Sequence, residues 1–420
     1  MKRRVEQIIS HPLVSGSTIV LAGMFIANLL GYFFTIGMAN LLTGTEFGIL
    51  AALIAIINIL SILASTIMTV FTKFTASYVG KNREDLIETL YVKGTIWIGV
   101  VSFVIMFIII VFVRQIATFL HINNLILIYI VAGTLFFAFL TSVGQGILVG
   151  LLKFFHNSLI NISSSLLKFI LAVIMVYFGM HVFGAIFAIF LANVIGYLIL
   201  IAIIRRRIKW RKDLSIIPNL QRQLVRYGLP VFLSTLGITA FISIDIILVK
   251  HFFNDEMAGD YAKLSLMGRS IFYLVVPITS VSFPLFAQKK ERKEKLLGTL
   301  LLSLLLIGIP SFAISIIYFL FPEFIIRIFL PAQPVLSLAP LLGIFSIFIV
   351  LFSLSYVLSN FYLSIGKVRV FFLTLAGSLF EILYIIAFHK DLYQIIVGLI
   401  GISLLLFILL LLYYPLAVKD

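Results

Sequence analysis

The chain is 420 residues long, 62% hydrophobic and only 11% charged, with no cysteine and a formal net charge of +15. Soluble domains carry about a quarter charged residues, so an ordinary soluble fold is excluded, and the missing cysteine excludes disulfides and thiolate metal sites. The basic excess fits the cytoplasmic loops of a membrane protein, not a nucleic-acid partner.

The N-terminal stretch joins a basic head, "MKRR", to an apolar run longer than the about 7–15 residues of a signal peptide. It predicts an uncleaved first span. A helical span needs about 20 mostly apolar residues. Twelve windows meet this: 15–42, 47–72, 94–113, 124–149, 158–178, 182–204, 228–249, 264–287, 296–320, 338–364, 369–388 and 392–414. Long unbroken apolar runs lack the alternation of a membrane barrel, so the fold class is all-α. Between spans, "KNREDLIETLYVKG" (81–94) predicts a short amphipathic surface helix, and "NDEMAGD" (254–260) a solvated loop.

With both termini in the cytoplasm, the inner segments hold 24 Lys and Arg and the outer loops 5. That asymmetry sets the orientation and predicts a multi-pass protein of the cell membrane. The longest inner loop follows the sixth span. It divides the chain into an N-terminal six-helix lobe (1–204), a basic cytoplasmic linker (205–227) and a C-terminal six-helix lobe (228–420). "TEFGILAA" (45–52) and "EMAGDYAK" (256–263) align on Gly48 and Gly259, an offset of 211 residues. The offset also carries one basic inner loop onto another, as a parallel repeat of six spans would.

Four charges fall inside spans: Lys168, Asp245, Arg269 and Glu381. Such residues face a bundle interior or a wet cavity far more often than lipid. At a rise of about 1.5 Å per residue, Lys168 and Glu381 both lie near the midplane. Asp245 and Arg269 lie at matching depth in the outer half, where mutual neutralisation is one reading of the pair. Lys168 is read as a holder of an anionic group in a central cavity, or else as a partner of Glu381. Asn161 and Asn360 are candidate sugar contacts, although Asn28, Asn58, Gln145, Asn161, Asn193 and Asn360 all suit interhelical hydrogen bonds. Pro230, Pro277, Pro284 and Pro310 interrupt backbone bonding and point to bending in the second half.

No phosphate-binding loop, nucleophile–base pair or metal-ligand spacing of histidines is present. The sequence therefore points away from an enzyme and calls for no cofactor and no metal.

The "EFG" turn, "GILVGLLKFFHNSLINISSSLLKFILAVIMVYFGMHVFGAIFA" (146–188), "DIILVKHF" and "AGDYAKLSLMGR", set in twelve spans, resemble the Wzx-type polysaccharide flippases of the multidrug/oligosaccharidyl-lipid/polysaccharide exporter superfamily. The resemblance covers nearly the whole chain. It implies a MATE-like, V-shaped pair of helical bundles. It also implies an undecaprenyl-diphosphate-linked oligosaccharide as substrate, moved from the inner to the outer leaflet by alternating access. Lys168 and Arg269 are the candidate anion contacts, and Asp245 or Glu381 would take a coupling proton or sodium ion. A cation-coupled multidrug exporter of the same superfamily and a membrane-bound polymerase or glycosyltransferase are the alternatives. Membrane lipids are the remaining expected partners.

Overall fold

Each of the twelve apolar runs is helical in the computed structural model, which describes residues 12–81, 83, 85–207, 219–291 and 294–418. In chain order the α-helices are α1 (Pro12–Leu41), α2 (Gly44–Gly80), α3 (Asp85–Val111), α4 (Val113–Phe119), α5 (Ile126–Gly150), α6 (Phe154–Met175), α7 (His181–Arg207) and α8 (Leu220–Phe241). Then follow α9 (Ile244–Phe252), α10 (Asp255–Glu291), α11 (Leu297–Leu320), α12 (Pro322–Phe329), α13 (Ala339–Ser364), α14 (Phe371–Ala387) and α15 (Leu392–Val418). No strand occurs among the described residues. The protein is an all-α polytopic membrane protein with about twelve transmembrane helices. Residues 208–218 of the basic linker lie outside the described residues.

The 211-residue offset reappears in the helix boundaries. It carries Gly44–Gly80 onto Asp255–Glu291, and His181–Arg207 onto Leu392–Val418, residue for residue. The short helices α4 and α12 also correspond, each following a long span. Their apolar faces suit an interface, but sequence reading took both stretches for loops because a run of seven or eight residues is too short to register as a span.

Three stretches differ from the sequence reading. Residues 85–94 are not a separate surface helix: α3 runs unbroken from Asp85, with Asp85 and Glu88 in its first turn, where the helix dipole favours acids. No breaker separates this turn from the span, and Gly94 lets α3 pack directly on Phe71. Residues 254–260 are not a solvated loop, because 255–260 form the first turns of α10 and Asp255 pairs with buried Lys250. The seventh span is two helices, α8 and α9, separated at residues 242–243.

Two compact units are present. One joins the chain up to Phe34 with Leu60–Phe232, and the other joins Thr35–Ile59 with the chain from Leu233 onward. In the first, α5 packs against α3 and α7, and α6 pairs with α7. The α6–α7 hairpin turns through a π-helical stretch in which Gly179 takes φ 81°, a left-handed value that suits glycine. In the second unit α13 packs against α10, α11 and α15, and α14 pairs with α15, so each unit repeats one packing plan. Phe241 stacks on Phe352 at 5.6 Å in the core of this unit.

Residues 35–59, read from the sequence as part of the first lobe, are held in the second unit by backbone contact. The Asn40 side chain donates to the Phe329 carbonyl at 2.9 Å and accepts from the Ala332 amide at 3.2 Å. A Cβ on Gly48 would lie 2.9 Å from the Gly259 nitrogen, and one on Gly259 would lie 2.0 Å from the Gly44 carbonyl oxygen. The two glycines that set the repeat offset therefore meet face to face.

This contact has a direct consequence. Gly259→Ala is expected to lower the melting temperature in detergent, with a cost of about 1–3 kcal/mol from overpacking. Gly298→Ala, where a Cβ meets nothing within 4 Å, is expected to be neutral. Equal melting temperatures for the two variants would contradict the close approach.

Candidate functional site

A charge in hydrocarbon must be answered locally, because ionic groups away from water are costly unless paired. In the second unit the break at residues 242–243 places Asp245 in the first turn of α9, where free backbone N–H groups and the helix dipole favour an anion. Asp245 is fully buried. Arg269 on α10 donates from Nη2 to both its oxygens, at 2.8 and 2.9 Å. The Tyr261 hydroxyl, two turns earlier on the same helix, donates to Asp245 Oδ2 at 2.8 Å.

Glu381 on α14 is also fully buried. Asp245 and Arg269 are the charges that bear on it electrostatically. Neither of its carboxyl oxygens has a hydrogen-bond partner among the described residues. Arg269 Nε and Ser265 Oγ are likewise buried without partners. Arg269, Ser265, Asn58, Thr35 and Tyr273 line a small cavity of about 90 Å³. The assembly is thus one ion pair, one unanswered carboxyl group and a small recess beside the guanidinium whose walls are part polar and part apolar.

The first unit carries a single intramembrane charge among its described residues, Lys168 on α6. Its ammonium lies 4.8 Å from the centroid of the Phe34 ring and approaches Gly31, both on α1. No carboxylate among the described residues of its own unit pairs with it. A ring face attracts a cation by about 0.5–2 kcal/mol but does not neutralise it. Asn161 lies two turns before Lys168 on the same helix face, and its Oδ1 accepts from Gln145 Nε2 on α5 at 2.7 Å.

Of the residues singled out in the sequence, the structure brings Asp245 and Arg269 into contact and puts Glu381 in the same unit. It places Lys168 and Asn161 in the other unit. Asn360 donates to the Tyr356 carbonyl of its own helix at 2.8 Å. Sequence reading missed Tyr261, although its spacing of eight residues from Arg269 puts both on one helix face. It missed Phe34 because only the fold brings α1 against α6. No group of three or more His, Cys, Asp or Glu gathers as a metal site among the described residues.

Comparison with known proteins agrees with this architecture. The pattern of the family described as "Polysaccharide biosynthesis protein" matches residues 13–290. A curated relative, an uncharacterized membrane protein of Methanocaldococcus jannaschii, is 29% identical over 162 residues, covering 36% of this chain and 38% of the relative's length. Among solved structures, an inward-facing multidrug resistance MATE family transporter of the MOP superfamily superposes with a TM-score of 0.76 at 17% identity. That match covers 95% of this chain and 97% of the other. A MOP superfamily transporter from Pyrococcus furiosus, described as having a binding pocket of reverse polarity, gives 0.67 at 18% identity over 96% and 95% of the two chains. At these identities the likeness shows the fold.

The pairing in the second unit is testable by stability alone. Arg269→Met leaves Asp245 buried and unanswered and is expected to destabilise the protein by about 3–5 kcal/mol. Adding Asp245→Asn is expected to recover much of that loss. Melting temperatures of the two single variants and the double variant in detergent check the coupling, and additive losses would contradict it.

Proposed function

Because the chain belongs to the polysaccharide biosynthesis protein family and spans the membrane with the fold of MATE transporters, we propose that it is a flippase for an undecaprenyl-diphosphate-linked oligosaccharide. The substrate passes from the inner to the outer leaflet of the cell membrane by alternating access, and both termini lie in the cytoplasm. The protein performs no bond chemistry in this reading. Its work is conformational.

The observation that carries the reading is Lys168 near the middle of a span, held against the Phe34 ring with no carboxylate partner among the described residues of its unit. A diphosphate brings negative charge into a low-dielectric region and needs cations and donors there. Lys168 supplies the cation, with Asn161 on the same face of α6 as a contact for the adjoining sugar. Arg269 offers its remaining N–H groups to the small recess of the second unit, and Asn360 is a further sugar contact there. Asp245 is committed to Arg269 and Tyr261, so Glu381 is the carboxyl group offered to a coupling proton or sodium ion. An inside-negative potential favours outward movement of an anion by about 2.3 kcal/mol per charge per 100 mV and adds to any ion drive. The balance of intramembrane base and acid argues against a carrier built for cationic drugs alone.

Transport in proteoliposomes tests this directly, using a fluorescent undecaprenyl-diphosphate oligosaccharide. Lys168→Ala is expected to reduce the flipping rate at least about tenfold, the loss of one charge-assisted contact of about 1.5–3 kcal/mol, and Lys168→Arg is expected to retain most of it. Equal rates for wild type and Lys168→Ala would remove Lys168 from the substrate path. Export of a cationic drug with no movement of the lipid would favour the multidrug reading.

A further inference from the structure

A second cavity lies in the first unit, away from the intramembrane charges. It has a volume of about 300 Å³ and is enclosed by α2, α3 and the first half of α8. Leu63, Ile67, Val70, Trp97, Val101 and Phe232 form its walls, which are apolar throughout. Its size falls at the lower end of the about 300–1,000 Å³ typical of ligand pockets. Val225 and Leu229 also line it and are themselves exposed, so the chamber opens on the flank of the bundle. Gly228 keeps α8 close to α2 there, since a Cβ would lie 3.3 Å from a Val70 methyl.

The chamber has a cationic rim at one end. Lys73, one turn beyond Val70 on α2, holds its ammonium 3.4 Å from the centroid of the Tyr227 ring, next to the lining residue Gly228. Lys73 has no carboxylate partner among the described residues. Arg222 and Arg226 stand exposed on α8, interleaved with the lining residues Leu224, Val225 and Gly228. All three cations lie toward the basic ends of their helices, so the apolar chamber extends from them toward mid-membrane.

We propose that this chamber is a binding site for one acyl chain of an anionic phospholipid, whose phosphate is held by Lys73, Arg222 and Arg226. A void with apolar walls gains dispersion contacts when filled by hydrocarbon. Open to the bilayer, it takes the commonest chain around it, so selectivity has to come from the headgroup. Cations near the surface attract anionic headgroups by about 1 kcal/mol each. The bound lipid joins α8 to α2 and α3 at the point where the basic linker enters the first unit. This site is independent of the substrate assignment, since it uses neither Lys168 nor the second unit.

Native mass spectrometry of the full chain tests it, with phosphatidylglycerol and phosphatidylcholine of identical chains as probes. Wild type is expected to retain one phosphatidylglycerol in preference to phosphatidylcholine. Val101→Trp fills the chamber and is expected to abolish that retention. Lys73→Ala leaves the chamber intact and is expected to weaken phosphatidylglycerol binding about fivefold while leaving phosphatidylcholine unchanged. Retention unaffected by Val101→Trp, no preference between the two headgroups, or displacement of phosphatidylglycerol by an equimolar polyprenyl phosphate would each overturn the proposal.

Discussion

The low dielectric of the bilayer governs this protein more than any other constraint. A charge there is either answered by a partner or retained for something that enters. The internal repeat lets the two outcomes be compared at one position. Asp245 and Phe34 correspond under the 211-residue offset, and each receives a cation: Arg269 at Asp245, Lys168 at Phe34. In the second unit a carboxylate meets the cation and the charge is cancelled. In the first unit an aromatic face meets it and the charge survives. The same scaffold position thus holds a neutralised ion pair in one unit and an uncancelled cation in the other.

That difference depends on helix geometry. In α1 the chain runs unbroken past Gly31 and Tyr32, whereas the corresponding residues Ile242 and Ser243 interrupt the seventh span. The interruption creates a helix start at Ile244 and places Asp245 in its first turn, where the helix dipole favours a negative charge. In the first unit Gly31 and Phe34, one turn apart on the unbroken helix, are the residues that the Lys168 ammonium approaches. The Gly48–Gly259 contact does comparable work at the helix starts, because close backbone approach is available only where neither residue carries a Cβ.

Most of the fold was legible in the sequence. Hydrophobic runs located every span, and two glycines in similar turns gave the repeat in register with the helix boundaries. The break between α8 and α9 was not legible, since no Gly or Pro lies within four residues of it. The prolines read as bending points all lie within helices: Pro230 in α8, Pro277 and Pro284 in α10, and Pro310 in α11. For the site, equal depth was enough to bring Asp245 and Arg269 to mind as neighbours. Depth alone did not show that Glu381 shares a unit with Asp245 and Arg269, because it fixes a level in the membrane and says nothing of which helices pack together. Phe34 and Tyr261 were invisible for a related reason: an aromatic residue among 41 Phe and 16 Tyr carries no mark of its partner until the helices are packed.

The central claim is that the Lys168 position is open to an anionic substrate rather than sealed as packing. The absence of cysteine allows a clean probe, because one substitution introduces the chain's single thiol. With the lysine kept in place and the single thiol set instead one turn earlier on α6, as Ser165→Cys, labelling by a small hydrophilic thiol reagent would be measured in proteoliposomes, with and without an undecaprenyl-diphosphate oligosaccharide. The account predicts labelling without the lipid and protection with it. A thiol that is unreactive in both conditions, or equally reactive in both, would contradict it.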